Sequence, residues 1–106
     1  MKVYKRLVRD KVPDMILRDN QLPVTRTLND KEYEEELNKK LEEEVKDYLV
    51  NKNYIDMIDI VEVIDAILDF KGIDKDAFEK ERINKANKKG TFKDRTYLEK
   101  IMEQTD

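Results

Sequence analysis

Glu44 and Asp47 form one acidic pair, and Asp56 and Asp59 form a second a few residues later. Each pair is spaced i, i+3, so each occupies one face of its own helix. The pairs also mirror one another: in an antiparallel hairpin turning near Asn51-Lys52-Asn53, Glu44 falls level with Asp59 and Asp47 level with Asp56. Four converging carboxylates repel unless cations lie between them. Hard oxygen donors of this kind suit Mg²⁺, with Mn²⁺ as second choice. Glu62 continues the stripe one turn on. Three roles fit it: fifth ligand, base for an attacking water, or partner of a Lys on a neighbouring helix. One carboxylate on a helix is ordinarily just solvated; the mirrored constellation carries the metal reading. Asp65 and Asp69 read as solvated or ion-paired.

Two long helices must position these acids. Asn29 as N-cap with Glu32 three residues on is a capping box, and the helix it starts runs to about Val50. On a wheel with Leu37 at zero, Leu41, Val45, Tyr48 and Leu49 form an apolar stripe, between about +20° and +120°. Glu44 falls against it at about −20°, Asp47 at about −80° and Glu43 at about −120°. Glu44 and Asp47 therefore lie nearer the core edge than Glu43. The second helix, Tyr54 to Lys71, ends at Gly72. From Ile55 to Phe70, 11 of 16 residues are apolar and the other five are acids. A helix this apolar is expected to be buried on more than one side, which suggests pairing across a dimer. Around these, Met1 to Val8 reads as an arm or short strand. Asp10 to Asp19 reads as a short helix capped by Asp10, with Pro13 in its first turn. Asp74 to Lys89 reads as a helix closed by Gly90, and Thr96 to Glu103 as a final short helix.

Composition narrows the chemistry. The 106 residues suit one domain, residues 1–106, and contain two Gly, two Pro, no Cys and no His. Without Cys or His there is no disulfide, no thiol nucleophile and no imidazole base or zinc ligand. No apolar leader follows Met1 and no segment approaches a membrane span, so a soluble cytoplasmic protein is expected. The net charge of −3 is segregated. Residues 42–69 hold nine acids against Lys46 and Lys52, a local −7. Residues 1–11 hold five bases against Asp10, +4, and residues 82–95 hold six against Asp94, +5. An acidic centre with basic ends suits a metal-bound, highly anionic small ligand. It suits nucleic acid poorly, for want of a broad basic surface. No glycine-rich phosphate loop is present, so phosphate charge would fall to the metal and to Lys5, Arg9 and Lys11 at one end and Lys85, Lys88, Lys89 and Arg95 at the other.

These residues resemble the MazG-like, all-α nucleoside triphosphate pyrophosphatases, a group that includes phosphoribosyl-ATP pyrophosphohydrolase. That family's EExxE and ExxD motifs are matched by Glu43-Glu44-Val45-Lys46-Asp47 and Asp56-Met57-Ile58-Asp59. Lys5-Arg6-Leu7-Val8-Arg9-Asp10-Lys11-Val12-Pro13 looks like the KLVRDKIP opening of a small subgroup. Asp59-Ile60-Val61-Glu62-Val63-Ile64 looks like its DVLEVI run, and Lys85 through Gly90-Thr91-Phe92-Lys93-Asp94-Arg95 like its basic ending. The resemblance implies an all-α antiparallel helical bundle with two long central helices, paired in a homodimer or higher homo-oligomer. It also implies Mg²⁺-dependent hydrolysis of a nucleotide to monophosphate and pyrophosphate. By matching positions, Glu44, Asp47, Asp56 and Asp59 would be the ligands, and Glu43 would orient water or a second metal. Asp stands at 47 and 56 where the family has Glu, and the interval between the motifs is short. The shorter arms require closer helices or intervening waters. Two other readings stand on the same scaffold: a non-catalytic nucleotide- or metal-binding regulator, and a helical interaction module whose acids are merely solvated.

Overall fold

The protein is described by a computed structural model covering residues 1–104. Among these residues there are four helices and no strand: α1 (Val12–Arg18), α2 (Asp30–Asn51), α3 (Ile55–Phe70) and α4 (Lys75–Lys89). The chain forms two compact units, Met1–Ile73 and a second from Asp74 onward. No helix among the described residues is long and apolar enough to cross a membrane.

Local chemistry sets most helix ends. Asn29 accepts from the Glu32 backbone N–H at 2.9 Å, and the Asn29 N–H donates back to the Glu32 carboxylate, completing the capping box. Arg26 grips the same carboxylate through two donors, at 2.6 and 3.1 Å. That bidentate bond, with the Asn29 backbone bond second, holds the Glu32 carboxyl below its ordinary pKa. The turn after α2 uses Lys52 in the left-handed region, φ 56°. Asn53 then accepts from the Ile55 N–H at 3.0 Å and starts α3. Gly72, at φ 68°, ends α3 in a Schellman motif: its N–H donates to the Asp69 carbonyl and the Ile73 N–H to the Leu68 carbonyl. Asn20 closes α1 with the same pattern of bonds. In the second unit Asp74 caps α4 by accepting from the Ala77 N–H at 2.9 Å, and Gly90 ends it at φ 86°.

Residues 1–8 contain no strand, which leaves the arm of the two readings. Two expectations differ from the structure. Asp10 does not cap α1; the N-cap is Lys11, and the Val12 N–H is taken by the Arg9 carbonyl at 3.0 Å, so a backbone turn replaces the side-chain cap. Thr96 to Glu103 forms no helix. Eight residues are too few to be helical without tertiary packing, and Tyr97, Leu98, Ile101 and Met102 are all exposed.

Within the first unit α2 and α3 pack on one another as an antiparallel hairpin. The ring of Tyr33, at the start of α2, meets that of Phe70, at the end of α3, edge to face, with centroids 5.5 Å apart. Leu37, Val63 and Leu68 are buried, each side chain stabilising by about 1.5–3 kcal/mol. The expectation that α3 is covered on several sides is not met within the chain. Ile55, Met57, Ile58 and Val61 are exposed, and with Tyr54 they form a stripe at helical spacing. The α2 stripe likewise opens toward its end, where Leu49 is 56% exposed. A hairpin of two helices can cover only the faces turned to each other, so it leaves an outer stripe in solvent.

Candidate functional site

The register of the hairpin decides which acids share a level. From Tyr33 forward to Glu44 along α2, and from Phe70 back to Asp59 along α3, the number of residues is the same. Both helices rise equally per residue, so Glu44 and Asp59 stand level, roughly 16 Å from the ring pair. One further turn brings Asp47 level with Asp56.

The N-terminal arm lies against this level of the hairpin. Arg6 Nη1 pairs with Glu43 Oε1 on α2 at 3.2 Å, and Arg9 Nη2 pairs with Asp59 Oδ1 on α3 at 2.7 Å. Residues three apart span at most about 11 Å of chain. One short segment therefore reaches acids from both helices. Lys40, one turn back along α2, places its ammonium 3.4 Å from Glu44 Oε1 and 4.0 Å from Glu43 Oε2.

Burial separates the acids. The side chains of Glu44 and Lys40 are 12% and 20% exposed. Glu43 and Asp59 are half-buried, while Asp47 and Glu62 are exposed. Asp56 stands apart: its Oδ2 is shut off from solvent and has no hydrogen-bond partner. A buried carboxylate oxygen without a donor is costly, by about 1–3 kcal/mol or more, and is rare enough to need a reason. Glu62 lies at the edge of the exposed α3 stripe, beside Tyr54, Met57, Ile58 and Val61 in a shallow dip.

Among the described residues, no three acidic side chains are gathered closely enough to hold a metal ion as they stand. Glu43, Asp59 and Glu44 are instead held by the chain's own cations, Arg6, Arg9 and Lys40. The donor set still fits a hard divalent cation in kind: all are carboxylate oxygens, and one is buried and unpartnered.

Of the candidate phosphate-binding residues, Arg9 is at the acidic cluster. Lys5 and Lys11 are exposed on the same arm, Lys11 at the start of α1. Lys85, Lys89 and Arg95 belong to the second unit. There Lys85 borders a shallow dip with Phe78, Glu81 and Arg82, Lys89 ends α4, and Arg95 holds φ 57°. Sequence reasoning passed over Arg6 and Lys40. Lys40 was findable, since it precedes Glu43 and Glu44 by three and four residues on one helix. Arg6 required knowing where the arm folds back.

Comparison with protein-family models, with curated proteins and with solved structures finds no match to this chain.

Proposed function

We propose that this chain is a Mg²⁺-dependent nucleotide pyrophosphohydrolase of the MazG-like kind, converting a nucleoside triphosphate or phosphoribosyl-ATP-like nucleotide to monophosphate and pyrophosphate. The observation that carries this reading is the register, which sets Glu44 level with Asp59 and Asp47 level with Asp56. The unpartnered Asp56 Oδ2 supports it. In this reading Glu44, Asp47, Asp56 and Asp59 hold the cation. When bound, Mg²⁺ would activate a coordinated water and neutralise charge developing on the phosphates. Glu43 or Glu62 orients that water and takes its proton. Lys5, Arg9 and Lys11, on the same unit as the acids, counter the polyphosphate charge, since donors to phosphate oxygens form strong, charge-assisted bonds.

The test is pyrophosphate release from a panel of nucleoside triphosphates with Mg²⁺ or Mn²⁺. Glu44→Gln is expected to lower turnover by at least about a hundredfold with helical content intact. A folded wild-type protein that releases no pyrophosphate across the panel overturns the reading.

A second reading is favoured by one observation, the exposed stripe of Tyr54, Ile55, Met57, Ile58 and Val61 on α3. A contiguous apolar stripe on a helix is the usual mark of a helical partner. A second copy of this chain covering it would give a homodimer, with or without catalysis. A non-catalytic nucleotide binder gives calorimetric binding without turnover. A purely structural module gives a melting temperature indifferent to Mg²⁺ and nucleotide, whereas any ligand selective for the folded state raises it.

A further inference from the structure

The arm that crosses the acidic cluster does so with a cation on Asp59. We propose that Arg9 and a divalent cation compete for the Asp59 carboxylate, so that cation binding releases Arg9 and frees its guanidinium for a phosphate. The inference rests on the reading that Glu44, Asp47, Asp56 and Asp59 hold a metal.

Two observations and one electrostatic argument lead there. Arg9 Nη2 stands 2.7 Å from Asp59 Oδ1, a short charge-assisted contact that occupies one of the two oxygens the carboxylate could offer a metal. A divalent ion on that oxygen would set two more positive charges a few ångströms from the guanidinium. Like charges so close repel by more than an exposed ion pair returns. The buried Asp56 Oδ2 lies one turn away on the same helix and takes no donor from the arm. The arm's cations thus neutralise part of the cluster and leave a buried acceptor for another ligand.

The arm is built to let go locally. The Arg9 side chain is 53% exposed, so it can swing outward without opening a core. Arg6 is meanwhile held by Glu43, which is not one of the four proposed ligands. Leu7, between the two arginines, is half-buried. The arm therefore keeps its attachment at Arg6 and Leu7 while Arg9 exchanges Asp59 for another anion. A freed guanidinium presents a planar fork of donors suited to phosphate oxygens.

The test is a Mg²⁺ titration of the whole chain, followed by calorimetry and by the NMR signal of the Arg9 side-chain Nε–H. Mg²⁺ is expected to move that signal to the position it takes in Asp59→Asn, where the pair cannot form with a full charge. Arg9→Gln is expected to bind Mg²⁺ about fivefold more tightly than wild type, the worth of an exposed ion pair. Arg6→Gln, which removes the same charge from the same arm, is expected to change the affinity less than about twofold. Mg²⁺ binding to wild type with the Arg9 signal unmoved overturns the competition and leaves the metal site standing. Equal tightening by Arg6→Gln and Arg9→Gln also overturns it, since that outcome reports general charge alone. Absence of Mg²⁺ binding in both wild type and Arg9→Gln overturns the metal reading itself, and this inference with it.

Discussion

The two ends of the α2–α3 hairpin differ in what holds them. At the end away from the turn, Tyr33 meets Phe70, and Leu37, Val63 and Leu68 are buried beneath a capped helix start and a Schellman close. Toward the turn, Glu43, Asp59 and Glu44 pair with Arg6, Arg9 and Lys40, and Leu49, Val50, Tyr54 and Ile58 are open to solvent. One end is packed and the other is charged. The packed end fixes the register, and the register brings the acids level. Packing and charge are thus separated along one pair of helices, with the packed end acting as the jig for the charged one.

The sharpest break of this comparison is a cavity at the packed end. Leu37, 3% exposed, is the most buried side chain of the core. Leu37→Ala is expected to cost about 2–5 kcal/mol in denaturant unfolding. Val61→Ala, on the exposed stripe of α3, is expected to stay within about 0.5 kcal/mol for the isolated chain. Comparable losses at the two positions would mean that the turn end carries stability too, most simply through a second copy covering Val61. Repeating the unfolding at several protein concentrations separates those cases, because a dimer's stability rises with concentration.

Next in size is the helix cap. Asn29→Ala removes the acceptor for the Glu32 N–H and is expected to cost about 1 kcal/mol. Because the cap lies at the packed end, the loss should be accompanied by faster hydrogen exchange in the first turns of α2. Exchange near Glu44 should change no more than the global stability requires. A preferential rise at Glu44 would show that the two ends are not separate. A smaller effect is expected for Ile58→Lys, which puts a charge on the open stripe. It should leave the melting of the chain nearly unchanged while reducing any self-association seen by sedimentation. An unchanged association state would remove that stripe from the list of interfaces.

The same division explains what could be read from the sequence. Asn29, Asp74, Gly72 and Gly90 act within a few residues of themselves, so their roles were legible from spacing alone. The hairpin register was legible because two i, i+3 acid pairs carry a mirror relation, and the Tyr33–Phe70 contact has the same relation. What failed depended on partners distant in sequence. Asp10 looked like a cap, but the backbone of Arg9 had already taken the donor. Thr96 to Glu103 had a helical pattern but nothing to pack against. The apolar count of α3 points beyond one chain, and this chain alone leaves Ile55, Met57, Ile58 and Val61 exposed. Arg6 became part of the site only through the path of the arm.

The smallest effect tests the packed end by pH. Glu32 sits 2.6 Å from Arg26, and the bidentate bond, then the Asn29 N–H, lowers its pKa from the ordinary carboxylate value. The folded state therefore holds the proton less tightly than the unfolded chain does. Its contribution to stability is complete above the unfolded pKa of about 4.3, and it is lost as pH falls through the lower folded value. Glu32→Gln keeps an N3 side chain able to reach the Asn29 N–H but removes the charge that Arg26 holds. The stability difference between wild type and Glu32→Gln should be constant from neutral pH down to about 5.5 and shrink below about 4.5. A difference that persists undiminished at pH 3 would show that the cap works through hydrogen-bond geometry alone. In that case the Arg26 pair adds nothing to the end of the hairpin that sets the register.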